Sequence, residues 1–198
     1  LNNLTICPRG TGYSFADVIL NNNNLILNTG NMNKIINLNF DNGQIVVEPG
    51  VTMSDILMLS LARNWALPAC PGGAAVSVGG AISNNVHGKD SWKDGNFGHN
   101  IIELKLLKAN SEIISIKKNE NQELLEAVVS GLGLIGIIIE VTLQLKKIPS
   151  PFVDISTIPT NDIHHSINVI EESKENYDFI VTWADGFPRK TSIGRGFV

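Results

Sequence analysis

Cysteine is scarce in this chain: Cys7 and Cys70 are the only two in 198 residues. Neither sits in a CxxC pair or in a zinc-like spacing, so a disulfide framework and a structural metal are not expected. A reduced pair is the default expectation, with one disulfide between the two as the alternative. Long apolar runs are missing as well. None approaches the roughly 20 residues that span a bilayer, and the opening residues do not form a signal peptide. Positive charge is in deficit: 15 Lys and Arg face 19 Asp and Glu, a net charge of -4 with pI near 5.5. The chain as a whole therefore lacks the basic field of a nucleic-acid or anionic-membrane binder. Phosphate-loop and hydrolase signatures are absent too. There is no GxxxxGK[ST], no nucleophile elbow and no Ser-His-Asp order. A soluble, cytoplasmic protein is expected.

The length suffices for one full domain and part of another. Leu1 is not an initiator Met and the final GRGFV stops on an apolar, strand-like pair, so a fragment of a longer protein is expected. Short β-branched runs at 24–27, 35–38 and 44–47, separated by NTGN and DNG, predict a hairpin-rich small sheet. The stretch TMSDILMLSLARNW predicts a helix capped by Thr52 or Ser54 and ending near Asn64. NIIELKLLKA and IISIKK alternate as a hairpin joined by the ANSE turn, 120–130 predicts a short helix, and the segment from Ile135 a long strand. Beyond Pro149 and Pro151, DISTIP and YDFIVTW predict strands flanking a helix that Asn161 or Asp162 caps. The fold class is α+β, with one domain over 1–148 and the start of a second over 149–198.

What the chain has in excess is glycine at selected places. PGGAAVSVGGAISNNVHGKDSWKDGNFGHN, residues 71–100, holds two Gly pairs, a His-Gly-Lys triplet and a closing Gly-His-Asn. Each interior glycine weakens a helix or strand by roughly 0.5 to 1 kcal/mol against Ala, so the cluster predicts backbone lying against a flat partner. RGTGYS at Arg9 to Ser14 has the same character. Its alternating glycines let successive N–H groups face one concavity, with Thr11, Ser14 and Arg9 as further donors. Pyrophosphate binding and a plain turn both fit that hexapeptide. GLGLIG from Gly131 to Gly136 has GxGxxG spacing in the wrong context: a predicted helix precedes it and a strand follows, the reverse of a dinucleotide fingerprint. His87 is read as a proton-transfer group, a donor to a cofactor, or a hydrogen-bonded loop residue. His87 and His99 lack metal-ligand spacing, and the adjacent His164 and His165 on one helix point to a surface role.

In series, RGTGYSFAD at 9–17, VEPGVTMSDIL at 47–57, PGGAAVSVGGAISNNVHGKD at 71–90, FGHNI at 97–101 and GLGLIGIIIEVT at 131–142 resemble the FAD-binding (PCMH-type) domain of the vanillyl-alcohol oxidase superfamily. VHGKD and the closing VTWADGFPRKTSIGRG are most similar to the decaprenylphosphoryl-β-ribose 2-oxidases of that superfamily, with alditol and aldonolactone oxidases next. The resemblance implies two α+β subdomains around FAD, lacking their usual first strand-helix-strand, followed by a truncated substrate cap. It implies that Arg9, Gly10, Thr11, Gly12, Tyr13 and Ser14 cradle the pyrophosphate with Asp17 nearby. Gly72, Ser77, Val78, Gly79, Gly80, Asn84, Asn85, His87 and Gly88 would run along the ribityl chain and flavin, with Ile137 near the adenine.

His87 and Lys89 would then be the catalytic candidates and Trp183 would line the substrate side. Many relatives tether the flavin through a His where this chain has Tyr13, so noncovalent FAD is expected. The implied reaction is oxidation of a secondary alcohol of a sugar or lipid-linked sugar by hydride transfer to flavin N5, in cell-wall biosynthesis. A partner reductase and, for the full-length protein, association with a membrane surface belong to the same expectation. A redox-inactive flavin-fold binding module and a cell-wall enoyl reductase on the same fold are the competing readings.

Overall fold

The structure, a computed structural model, describes residues 4–15, 17–187 and 193–198. Ala16 of the first motif and residues 188–192 of the closing VTWADGFPRKTSIGRG lie outside the described residues. The first strand, β1 (Ile6–Arg9), pairs in parallel with β2 (Leu25–Asn28), Ile6 opposite Leu25 and Arg9 opposite Asn28. The hairpin expected from NLIL into IINL does not form. Backbone groups of the NTGN bend and of Met32 just after it are engaged elsewhere: the Thr29 N–H donates to the Arg9 carbonyl at 2.9 Å, and the Met32 carbonyl accepts from Gly50 N–H at 2.7 Å. With those groups committed, β2 leaves the sheet that follows.

That sheet begins with β3 (Ile35–Asn39) and β4 (Gln44–Val47), an antiparallel pair turned through Gly43 at φ +69°. The Trp65 ring fills the space where a Gly43 side chain would go. Helix α1 (Met53–Ser60) opens with a reciprocal cap: the Thr52 hydroxyl accepts from Asp55 N–H at 3.2 Å and the Asp55 carboxylate accepts from Thr52 N–H at 2.9 Å. A 3-10 turn over Leu61–Arg63 ends at left-handed Asn64, where the sequence places the stop, and β5 (Trp65–Ala66) follows.

Inside the glycine tract lie α2 (Val78–Ser83) and α3 (Ser91–Asp94), so the stretch expected to lie as backbone against a flat partner is partly helical. Val78, Ala81 and Ile82 are fully buried, and that i, i+3, i+4 spacing is what turns the VGGAIS segment into a helix against the core. A Cβ on Gly79 would come within 2.8 Å of Pro49 Cβ. This glycine is needed for packing within the protein itself.

The remaining elements are β6 (Ile101–Leu107), β7 (Ile113–Lys117), α4 (Gln122–Val128), β8 (Ile137–Gln144) and β9 (Lys146–Lys147). Five strands form one antiparallel sheet in the order β3-β4-β8-β6-β7, and β9 pairs with β5. One face of the sheet carries Ile45, Val47, Leu104, Leu106, Val141 and Leu143 against Met53, Ile56, Ile82, Phe97 and Leu125. Each such side chain withdrawn from water contributes about 1.5 to 3 kcal/mol. The other face holds cross-strand pairs such as Lys105 and Glu140, 2.8 Å apart. The β8 entry uses Leu132 at φ +51° and Gly133 at φ +78°, a tight exit from α4.

After Pro149 and Pro151 come β10 (Pro159–Thr160), α5 (Ile163–Ser173), β11 (Trp183–Ala184) and β12 (Gly196–Phe197), with β12 between the other two strands. Asp162 caps α5 by accepting the His165 N–H at 2.8 Å. The strands predicted over DISTIP and YDFIVTW shorten to two residues each, because β12 offers only two paired residues to either side. Instead of joining a ladder, Ile180 donates its N–H to the Lys89 carbonyl at 3.2 Å. The chain is α+β, as expected.

Candidate functional site

Two concavities share the segment 72–89. The first is an open groove whose walls come from Gly10 and Ser14 of the RGTGYS loop, from Gly79, Gly80, Ser83 and Asn84 on α2, and from Leu132, Gly133 and Gly136 of the β8 entry. Three separate motifs thus meet in one place. The RGTGYS loop is docked onto α2 by the Ser77 N–H, which donates to the Thr11 hydroxyl at 3.1 Å. A side chain at Gly10 would strike the Ser77 hydroxyl, so the alternating glycines permit close approach of this loop to α2. The guanidinium of Arg9 folds over Gly12, which stands at φ +77° with Arg9 Nη2 3.0 Å from the position of a Cβ. Tyr13 and Asp17 are exposed and do not line the groove.

The donor set suits a dinucleotide. Hydroxyls, a carboxamide and glycine backbone suit pyrophosphate and ribityl oxygens, the Arg9 guanidinium stands in the adjoining loop over Gly12, and no carboxylate lines the groove. One expected contributor faces inward instead, and another lends the groove its surface but not its N–H. Val78 is fully buried, its N–H donating to the Val51 carbonyl at 2.8 Å, and the Gly79 N–H is spent on the Pro49 carbonyl at 2.8 Å. Ile137 begins β8, but the groove touches its neighbours Gly136 and Ile138. Asn85, at φ +43°, turns its carboxamide oxygen to the Gly98 N–H at 3.0 Å and anchors the loop that follows α2.

The second concavity is a cavity of about 480 Å³ beneath α5. Its floor is Gly72 with His87, Gly88 and Lys89, and a side chain at Gly72 would meet nothing within 4 Å. Trp92 closes one side. Its roof comes from beyond Pro149, with Ile170 and Lys174 on α5 and the segment Ile180–Thr182. The roof is held by the Ile180 to Lys89 main-chain bond and by Lys93 Nζ, 2.6 Å from Asp178 Oδ1. That contact raises the Lys93 pKa and lowers that of Asp178, each chiefly through the shared hydrogen bond. Trp183, expected to line this side, stands one residue past the lining on β11 and is exposed. Cys7 and Cys70 are both free. Burial raises the Cys70 thiol pKa, the Asp90 charge adds to the rise, and Lys89 opposes it.

Gly72, His87, Gly88 and Lys89, all expected along the flavin from the resemblance, lie together on this floor, while the roof was not anticipated from the sequence. Trp92 carried a signal in its proximity to HGKD. Lys174 and Thr182 carried none, because only the docking of α5 brings them to the floor. Among the described residues there is no cluster of His, Cys, Asp and Glu able to hold a metal ion. No helix among them is long and apolar enough to cross a membrane.

Comparison with known proteins matches residues 1–117 to the FAD binding domain family. The chain belongs to this family. FAD is accordingly the cofactor of this domain, and the groove's donor set is compatible with it. Curated relatives include the decaprenylphosphoryl-β-D-ribose oxidase of Mycolicibacterium smegmatis, 27% identical over 98% of this chain and 42% of its own length. A putative D-arabinono-1,4-lactone oxidase of Neurospora crassa is 34% identical over 73% of this chain and 25% of its length. L-gulonolactone oxidase of Bos taurus is 26% identical over 93% of this chain and 40% of its length. The chain spans less than half the length of each of these relatives.

Proposed function

We propose that this FAD-binding domain is part of an oxidoreductase that oxidises a secondary alcohol of a sugar or lipid-linked sugar. One observation carries the reading. Consecutive parts of one segment line the two concavities: Gly79–Asn84 the groove suited to FAD, and Gly72 with His87–Lys89 the cavity beneath α5. A cofactor that lies along the groove and continues past Asn84 would meet a substrate in the cavity at His87, Gly88 and Lys89. Bound FAD supplies a two-electron acceptor, with which the protein groups need only align a C–H bond. Arg9, Thr11 and Ser14 bind the pyrophosphate, with Gly80 and Asn84 along the ribityl chain. No histidine stands at Tyr13, so the cofactor is held without a covalent bond. His87 takes the proton of the substrate hydroxyl on a ring nitrogen while Lys89 orients its oxygen. Trp92, Ile170, Ile180 and Val181 exclude water, with Trp183 at the rim. Residues 149–198 are the start of the substrate cap that follows the FAD domain of 1–148.

The name and near-complete alignment of the Mycolicibacterium relative support a lipid-linked pentose as substrate. The higher identity of the Neurospora relative favours a second reading, an aldonolactone or alditol. Anaerobic mixing of the full-length flavoprotein with prenyl-phosphate pentoses, aldonolactones and alditols separates them, because the true substrate bleaches the flavin band. A flavin that none of them bleaches leaves a binding module. Arg9→Ala should weaken FAD binding by about 10- to 100-fold, the loss of one charge-assisted hydrogen bond, as read by titration of the apoprotein.

A further inference from the structure

Asp90 is the only acidic side chain buried among the described residues, 4% exposed. It makes no ion pair there. A buried carboxylate without a cation is costly, and stability alone is better served by an apolar side chain of similar size. What this carboxylate does is join two loops. Its Oδ2 accepts the Ala69 N–H at 3.0 Å, and Ala69 is a fully buried residue held in the left-handed region at φ +54°. Its Oδ1 has no hydrogen-bond partner among the described residues and lies where a Gly88 side chain would point. The same hypothetical Cβ on Gly88 would come within 2.9 Å of the Cys70 carbonyl oxygen. The Gly88 N–H donates to the Ser91 hydroxyl at 2.7 Å, which fixes the loop from its other end. The turn at 69–72 and the triplet 87–89 thus meet on this one side chain, and both reach the cavity floor through Gly72 and His87–Lys89.

We propose that Asp90 is a positioning residue for the oxidation: by taking the Ala69 amide and filling the space beside Gly88, it holds His87 and Lys89 at a fixed distance from the Gly72 loop. This rests on the reading of the cavity as the reaction site. Asn at 90 keeps an acceptor for the Ala69 amide and nearly the same volume, whereas Ala removes both.

In the full-length flavoprotein, Asp90→Ala should retain FAD and half-saturation by substrate within about threefold, while the limiting rate of anaerobic flavin reduction falls at least tenfold. Hydrogen exchange at the Ala69 amide should rise at least tenfold in the same variant, and Asp90→Asn should return both quantities to within about threefold of the parent. Parental reduction by Asp90→Ala overturns the proposal, as does an equal loss in the Asn and Ala variants, which would assign the effect to charge. If Asp90→Ala fails to hold FAD, Asp90→Glu is measured. Its carboxylate is displaced by one methylene, so FAD should be held and reduction slowed at least tenfold; a parental rate overturns the proposal. Loss of FAD in both variants makes Asp90 a folding residue and overturns it too. If no sugar alcohol reduces the parental flavin, the oxidoreductase reading falls, and the Ala69 exchange comparison alone decides whether Asp90 sets the loop.

Discussion

In the five-stranded sheet Ile45, Val47, Val141 and Leu143 are wholly withdrawn from solvent, whereas Phe152, Ile155 and Phe187 beyond Pro149 keep 85%, 84% and 83% of their surface exposed. The two regions use the same kinds of side chain. They differ in ladder length: β8 runs eight residues between two partners, while β10, β11 and β12 have two residues each. A long ladder fixes which face each residue takes, so the apolar set is buried together. A two-residue ladder fixes almost nothing. The segment beyond Pro149 therefore depends on local helix caps and on its attachment to the 87–94 loop, while the sheet carries its own core.

The largest break in this contrast is expected from Phe97→Ala. Phe97, near the end of the glycine tract, is fully buried in the core against the sheet, and its truncation should cost about 3 to 5 kcal/mol, seen as a lower urea midpoint for the sheet and the segment beyond Pro149 together. A smaller and one-sided effect is expected from Asp162→Ala, which removes the cap of α5. About 1 kcal/mol of helix stability should be lost, with faster limited proteolysis within 149–198 and an unchanged unfolding midpoint for the sheet. A shift of that midpoint would show the regions to be one cooperative unit.

The smallest effect concerns the joint between Lys93 and Asp178. Asp178 has its pKa lowered in the fold, so its contribution is present above the unfolded value near about 4 and is lost as pH falls through the lower, folded value. Lys93 has its pKa raised, so its contribution is present below about 10.4 and is lost as pH rises through the higher, folded value. Cleavage within 149–198 should be flat from about pH 5 to 9 and rise in acid. In Asp178→Asn the acid rise should shrink, and high salt should reproduce part of it at neutral pH, because both groups are exposed.

Much of the sheet region was legible because its signals are local and periodic. The ANSE hairpin, the Thr52 cap, the stop at Asn64 and the long strand from Ile135 all follow from neighbours in sequence. The parallel pairing of β1 with β2 was not, since it depends on where the Thr29 and Met32 backbone groups find partners, one of them 18 residues away at Gly50. The helix at Val78–Ser83 was masked by its glycines, whose low propensity is overridden by the burial of Val78, Ala81 and Ile82. In the candidate site the glycine-bearing walls of the groove were readable as motifs. Lys174 and Thr182 were not, because nothing in α5 or in the segment after it announces the floor they cover.

The bond from the Ile180 N–H to the Lys89 carbonyl joins main chain to main chain. No change of side chain deletes it, and only proline at 180 removes the donor. The cavity roof can therefore exchange its lining at Ile180, Val181 and Thr182 while this tie to the floor persists. For evolution or for a designer of altered selectivity, these three positions are letters that can be rewritten without moving the page on which they are printed.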